Sequence, residues 1–449
     1  MSADRKRKLT VLGAEALADA LLELAARVEV VDELVERLIA TPKENIQRYK
    51  EKLAALKRRQ RFISWRESAA FAHELEMLLA DLESGVDDPR IGLQLVAAFY
   101  QADGDIFEQC DDSYGNVGNV FQYNAKELFV SYASDCPDKQ WLGRLVFDLC
   151  RKDDYGVRDT LVDCAAQYLP ESEVRNLIKG FQASAEGKAD EFWKHHWMHC
   201  VQSLARQVKD VPLFEQTRLA SSGTPTSAAC VDIARVHLVC GDAQTALSWL
   251  QQVPKDDHHH NQHDQDRLLL EIYGKTGDKD RQKEVAWRIF RRHRSARALS
   301  ELLSVIGQDQ KDGVVAGEVT DILGEKTFSR SNAMFLVETG HLDAAEVYLL
   351  NRSDKLDGDF YSGLLPLAEA MEAGGRPLCA SIIYRALLDS ILRRAYSKAY
   401  DHGVSYLKKL DMLAPSVLDW RGFENHDVYV KYLRDQHSRK RSFWPRYEK

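Results

Sequence analysis

A glycine recurring between short amphipathic helices constrains this chain more than any other feature. Four stretches carry it: Ile233 to Gly241, Leu269 to Gly277, Ala333 to Gly340 and Leu367 to Gly375. Five residues before each glycine stands an apolar residue: Val236, Ile272, Phe335 or Ala370. Five residues after it, three of the four have alanine (Ala246, Ala345 and Ala380), with Gln282 the exception. Glycine accepts the left-handed conformation that ends a helix, and a small alanine lets the next helix pack close. The glycines lie 36, 63 and 35 residues apart, and the long interval has room for a degenerate unit around Gly307. A period of about 34 residues is that of tetratricopeptide-like hairpins, which bury their apolar faces only by stacking. The expected fold class is all-α: a tetratricopeptide-like α-solenoid of helical hairpins preceded by an N-terminal helical domain. A globular helical bundle is the alternative.

Helix start signals extend this reading into the first half. Thr41-Pro42-Lys43-Glu44 offers a capping hydroxyl, a proline at the first helical position and a glutamate three residues on. Ser64 and Glu67 repeat that spacing ahead of a face formed by Phe71, Leu75, Leu78, Leu79 and Leu82. Asp88-Pro89 begins a further helix through Leu93 and Tyr100. Asp103 to Gly118, rich in Gly, Asp and Asn, reads as the main interruption, Val120 to Ala133 as helical again, and Asp153 to Gly156 as a shorter break. No series of alternating β-branched residues is found. These signals divide the chain into an N-terminal helical domain (1–220), hairpin repeats (221–415) and a basic C-terminal helix or tail (416–449).

With 61 basic and 69 acidic residues the net charge is −8, which does not favour a general polyanion binder. Basic residues nevertheless cluster at Arg5 to Lys8, Lys50 to Arg61 and Lys431 to Lys449. Glu15, Asp19 and Glu23 interrupt the apolar stretch after the basic start, so it does not read as a secretory signal. No apolar run is long enough to span a bilayer. The 8 cysteines are scattered without a CxC or CxxC pair, as expected of buried thiols in a reducing compartment. A cytoplasmic protein without membrane association is expected.

Several stretches resemble a bacterial helical-repeat family of unknown function that occurs alone or downstream of SWIM-type zinc fingers. They are Arg61 to Ser68, Asp111 to Phe121, Tyr384 to Asp389, Ser397 to Gly403 and His426 to Trp444. The resemblance implies helical repeats and an intracellular location, and it carries no catalytic assignment. The CxC-plus-CxH pattern of a SWIM finger is missing here.

Several side-chain clusters have the chemistry of a site, and each also has a plainer reading. Trp193 to Cys200 places His195 and His199, and also His196 and Cys200, one helical turn apart. His195, His199 and Cys200 are therefore weak metal candidates, against a packed helix with histidines at its border. His258, His259, His260 and His263, beside Asp256, Asp257 and Asp264, suit either a divalent cation or a polar loop. Gly274-Lys275-Thr276 lacks the earlier glycine of a phosphate loop, because position 269 is Leu. Asp103, Asp105, Asp111 and Asp112 combine metal-binding chemistry with the simpler role of caps and turns. Arg385, Asp389 and Arg393 form an i, i+4, i+8 stripe on an apolar helix: a salt-bridged face, or an anion groove with Lys398, His402 and Lys409.

In the tail, Arg434, His437, Arg439, Lys440, Arg441 and Trp444 are candidate partner-binding residues together with Asp111 and Asp112. Phe443 and Trp444 either stack on a base or dock on the last repeat. No nucleophile elbow, HExxH, dinucleotide fingerprint or kinase motif is found. The expectation is a non-catalytic protein- or peptide-binding scaffold without a cofactor. The alternatives are a nucleic-acid-associated factor using Lys50–Arg61 and the basic tail, and a metal-dependent enzyme.

Overall fold

The computed structural model describes residues 2–59, 61–187, 190–220, 225–253 and 258–448, and every regular element among them is helical. Among the described residues extended pairing is limited to one isolated parallel bridge between Ile63 and Cys110. No helix among the described residues is long and apolar enough to cross a membrane. The chain forms two compact units, Met1–Asp257 and His258–Lys449.

In the first unit the capping chemistry works as its spacing requires. Thr41 accepts the Glu44 amide and Glu44 returns a bond to the Thr41 amide at 2.7 Å, opening the Pro42–Lys57 helix. Ahead of the Ser68–Gly85 helix only half of that pattern forms: Ser64 donates its amide and hydroxyl to the Glu67 carboxylate without accepting the Glu67 amide on its side chain, and Phe71, Leu75, Leu78, Leu79 and Leu82 are all buried. Complete burial of a leucine such as Leu75 contributes about 1.5–3 kcal/mol. Asp88 caps the Pro89–Tyr100 helix.

The expected Asp103–Gly118 interruption is more ordered than its composition announces. It holds the short helices Asp103–Glu108 and Asn116–Asn119, and Ile63 bonds to the backbone at Gln109 and Asp111. The following segment begins as a π-helix, Val120–Ala125, and turns α-helical at Lys126–Asp135. Gly156 turns the chain at a φ of 69° before the Asp159–Asp163 helix, whose first residue faces the Glu191–Gln207 helix.

The recurring glycines mark helical hairpins. In the first unit Gly241 (φ 90°) joins Ser227–Val239 to Ala243–Gln251. In the second, Gly277 (77°), Gly340 (80°) and Gly375 (69°) sit between His258–Thr276 and Lys279–Arg292, Arg330–Glu338 and Leu342–Leu350, and Tyr361–Ala373 and Pro377–Arg393. The long interval holds two further helices, Ala296–Ile306 and Lys311–Gly324, on either side of Gly307 at 113°, with a cavity between them. Ala246, Ala345 and Ala380 are fully buried, as close helix packing demands. The exception explains itself. Gln282 lies over Gly274, where a Cβ would meet its Nε2 at 2.8 Å, so the small residue stands on the other helix of that pair.

One apolar core in the second unit runs from Ala286 to Trp444. Two buried acids pin its helices from within. Asp266 is held by Arg288 and Arg292, and Glu318 by Arg291 and Arg294, at 2.6–2.9 Å. After the last hairpin come Tyr400–Leu413, His426–His437 and the short Trp444–Tyr447 turn.

Candidate ligand-binding site

The Pro377–Arg393 helix is buried along most of its length, and its polar stripe opens on a cavity of about 730 Å³. Arg385 is the centre of that cavity's chemistry. Its guanidinium carbon lies 4.6 Å from the Trp420 ring and 4.4 Å from the Tyr429 ring, and Nη1 donates to the Glu424 carbonyl at 2.8 Å. These contacts fix the plane of the group. The side chain is 93% buried (7% exposed), yet Nε and Nη2 have no hydrogen-bond partner among the described residues. Burial holds its pKa below the ordinary arginine value, with Tyr429 and Asp389 opposing that shift.

Asp389, one turn on, accepts from the Tyr429 hydroxyl at 2.7 Å. Burial raises its carboxyl pKa, against the Tyr429 bond and the charges of Arg385 and Arg393. Leu356, Ile382, Phe423 and Tyr432 supply apolar and aromatic lining, while Lys355 and Arg393 add positive charge and Asp354 and Asp357 negative charge. Gly358 is required where the loop crosses the helix, because a Cβ there would lie 2.0 Å from the Ala386 carbonyl oxygen. Asp359 anchors the same loop through Ser390 and Arg394.

Nε–H and Nη2–H lie on one edge of a guanidinium and point in parallel, the geometry that a carboxylate or phosphate accepts with two oxygens. An unmet buried donor costs about 1–3 kcal/mol, and these two nitrogens are sealed and unpaired on a residue that lines the cavity, so a ligand that reaches them recovers that cost.

The groove partners expected from sequence are elsewhere. Lys398 and His402 are exposed, Lys409 pairs with Glu372 at 2.6 Å, and none of the three lines the cavity. Trp420, Glu424 and Tyr429 were not among the sequence candidates. Their spacing from Arg385 carries no helical period, and only the stretch from His426 onward pointed near them.

The other candidates fall as follows. Asp111 accepts from Ser113, and Asp112 accepts the Val117 and Gly118 amides at 2.9 and 2.8 Å. Asp103 pairs with Arg158 and Asp105 with Lys57, so these four carboxylates go to separate partners. In the tail Trp444 is buried, donates to the His437 carbonyl at 2.9 Å and lies under Arg434, which also pairs with Glu448. Phe443 is fully buried, so both aromatics dock on the fold. Arg439 and Arg441 are exposed, and Lys440 is half-buried.

In the basic helix region Lys52, Lys57, Arg59 and Arg61 each face a carboxylate, Asp81, Asp105, Glu74 and Glu67 respectively. His195 and His199 are exposed, whereas Cys200 is buried beside His196 and Asp159. The side chains of His258, His259 and His260, with Asp256 and Asp257, lie outside the described residues. Lys275 pairs with Glu271 and Thr276 closes its helix on the Ile272 carbonyl, so Gly274-Lys275-Thr276 is a helix end.

The described chain is thus an all-helical protein with a cavity built around a buried, rigidly held arginine. It belongs to a family of unknown function (DUF6880), whose model matches residues 4–446. No curated protein and no solved structure matches it.

Proposed function

We propose that the protein is a non-catalytic binding scaffold whose helical hairpins stack in a tetratricopeptide-like solenoid, and that its Arg385 cavity captures a carboxylate-bearing peptide segment of a protein partner. The observation that carries this reading is the unpartnered Nε/Nη2 edge of Arg385, fixed between Trp420 and Tyr429. A cavity of about 730 Å³ lies within the range of small-ligand pockets, roughly 300–1,000 Å³. Its apolar lining takes the side chain next to the carboxylate.

The charge balance favours a singly charged group over a nucleic-acid backbone. Asp354, Asp357, Asp389 and Glu424 share the lining with Lys355, Arg385 and Arg393, which leaves no surplus of positive charge for a polyanion. The acid-paired cations of the Lys50–Arg61 stretch and the docked tail aromatics also weigh against nucleic acid. All eight cysteines are free, which suits a reducing compartment such as the cytoplasm.

The test is selection of the full chain against a random peptide library with free C-termini, and against the same library amidated. Enrichment of peptides that lose binding to Arg385→Ala and to Arg385→Lys supports the reading. Loss of enrichment on amidation assigns the carboxylate to the chain end, and its retention assigns it to an Asp or Glu side chain. Peptides that bind Arg385→Ala as well as the native chain, or no enrichment at all, overturn it.

A further inference from the structure

In the first unit three metal-ligating side chains from two helices converge, held to one another only by a long thiol–carboxylate hydrogen bond and a 3.7 Å imidazole–carboxylate approach. His196 and Cys200 stand one turn apart on the Glu191–Gln207 helix, and Asp159 opens the Asp159–Asp163 helix. His196 Nδ1 lies 3.7 Å from Asp159 Oδ2, Cys200 Sγ lies 3.8 Å from Asp159 Oδ1, and one ligand atom from each residue lies within 4.8 Å of the others. A direct imidazole–carboxylate hydrogen bond has a length of about 2.7–3.2 Å. Ligands of a tetrahedral zinc ion, at about 2.0–2.3 Å from the metal, stand roughly 3.4–3.6 Å from one another. The two short approaches go to different oxygens of Asp159, so a single ion is reached by a small closure of a cluster whose ligand atoms already lie within 4.8 Å of one another.

The tautomer agrees. His196 Nε2 is 2.9 Å from the Cys150 carbonyl, which can only accept, so Nε2 carries the proton and the Nδ1 lone pair faces Asp159. A backbone carbonyl that fixes the far nitrogen in this way is a common support for a metal-bound histidine. Trp193 packs edge-on against the same ring at 5.6 Å. The surroundings are acidic. Asp153, only 2% exposed, spends Oδ2 on the Arg158 and Asp159 amides and leaves Oδ1 without a partner. Asp163 bonds to Ser203 at 2.6 Å, and Arg158, the cation of this region, is already paired with Asp103.

We infer that Asp159, His196 and Cys200 form a structural site for a divalent transition-metal ion of the zinc type, which ties the Asp159–Asp163 helix to the Glu191–Gln207 helix. The mixed nitrogen, sulfur and oxygen donor set selects zinc over magnesium or calcium. Cys200 is 1% exposed, which fits an ion taken up as the chain folds, with three protein ligands and a fourth position left for water. Binding replaces the thiol proton of Cys200, which leaves to solvent. The spare oxygen of Asp153 supplies further negative charge beside the ion.

The test is titration of the full chain, purified without a histidine tag and stripped with chelator, with cobalt(II). The expected result is a sulfur-to-cobalt charge-transfer band in the near ultraviolet that saturates at one ion per chain and is displaced by zinc. Cys200→Ser removes the band, while His195→Ala and His199→Ala leave it unchanged. Should Cys200→Ser fail to fold, His196→Gln keeps every thiol and is expected to weaken cobalt binding at least tenfold. The inference is overturned by a cobalt spectrum without the thiolate band, which is the signature of the His258–His263 tract binding adventitiously. It is overturned equally by a band that survives both Cys200→Ser and His196→Gln. Arg385→Ala leaves the cobalt spectrum untouched, so this result stands or falls apart from the peptide-binding one.

Discussion

Around Asp159 donors for a cation converge from two helices of the first unit, whereas around Arg385 donors for an anion face a cavity in the second. Both places bury polar groups at a cost, and they differ in access. Cys200 is 1% exposed and sealed within its unit, so whatever it binds is part of the fold. Arg385 is nearly as buried, but Tyr432 on the same cavity is 50% exposed, so a ligand can enter and leave. A buried charge is thus read best by what lies on its unpaired side: closed packing points to structure, and a lined cavity points to binding.

The comparison is broken most severely by removing the cation that supports the acidic side. Arg158→Ala leaves Asp103 buried at 3% exposure without its 2.6 Å partner. Loss of about 3–5 kcal/mol is expected in urea denaturation. A loss below ~1 kcal/mol would mean that Asp103 is satisfied another way. Arg385→Ala acts on the other side of the comparison, lowering affinity for a selected carboxylate peptide by about 3 kcal/mol, roughly a hundredfold, in calorimetry. Arg385→Met is expected to weaken the same binding by a similar factor while unfolding stability stays within about 1 kcal/mol, because it removes two unmet donors along with the favourable contacts.

The hairpin turns offer a matched pair across the two units. Gly241→Ala and Gly340→Ala each force a left-handed alanine at φ near 90° and 80°, with nothing within 4 Å of the new Cβ. Each is expected to cost about 1–2 kcal/mol in thermal or urea unfolding, equal in both units if the backbone alone is responsible.

The smallest effect is electrostatic. Burial raises the folded pKa of Asp389 above its ordinary 3.8, so its contribution is most favourable below that value and is lost as pH rises through the folded pKa. Asp389→Asn is therefore expected to gain stability relative to the native chain as pH rises above 3.8, and to show no such trend below it. Parallel urea curves across that range check the sign.

Legibility followed distance along the chain. The Thr41–Glu44 box, the Asp88 cap and the recurrent glycines act within a few residues, and each stands where its spacing placed it. The pair His196 and Cys200 was visible as one turn of helix. Its third member, Asp159, lies 41 residues before Cys200 and had no local mark. The stripe Arg385, Asp389 and Arg393 was visible too, but its expected companions Lys398, His402 and Lys409 are not at the cavity. Glu424, 39 residues on from Arg385, fixes one guanidinium nitrogen through its backbone carbonyl, a contact that no side-chain pattern announces.

The sequence by itself determined that this chain is helical, where many of its helices begin, and that left-handed glycines join its hairpins. Those outcomes rest on short-range terms: capping bonds, apolar periodicity and the conformational freedom of glycine. Only the tertiary structure decided which polar residues lose their water and which of those find a partner. That depends on helices packing across dozens of residues, and it separates Arg385 with its unpaired edge from Arg158 with its paired one.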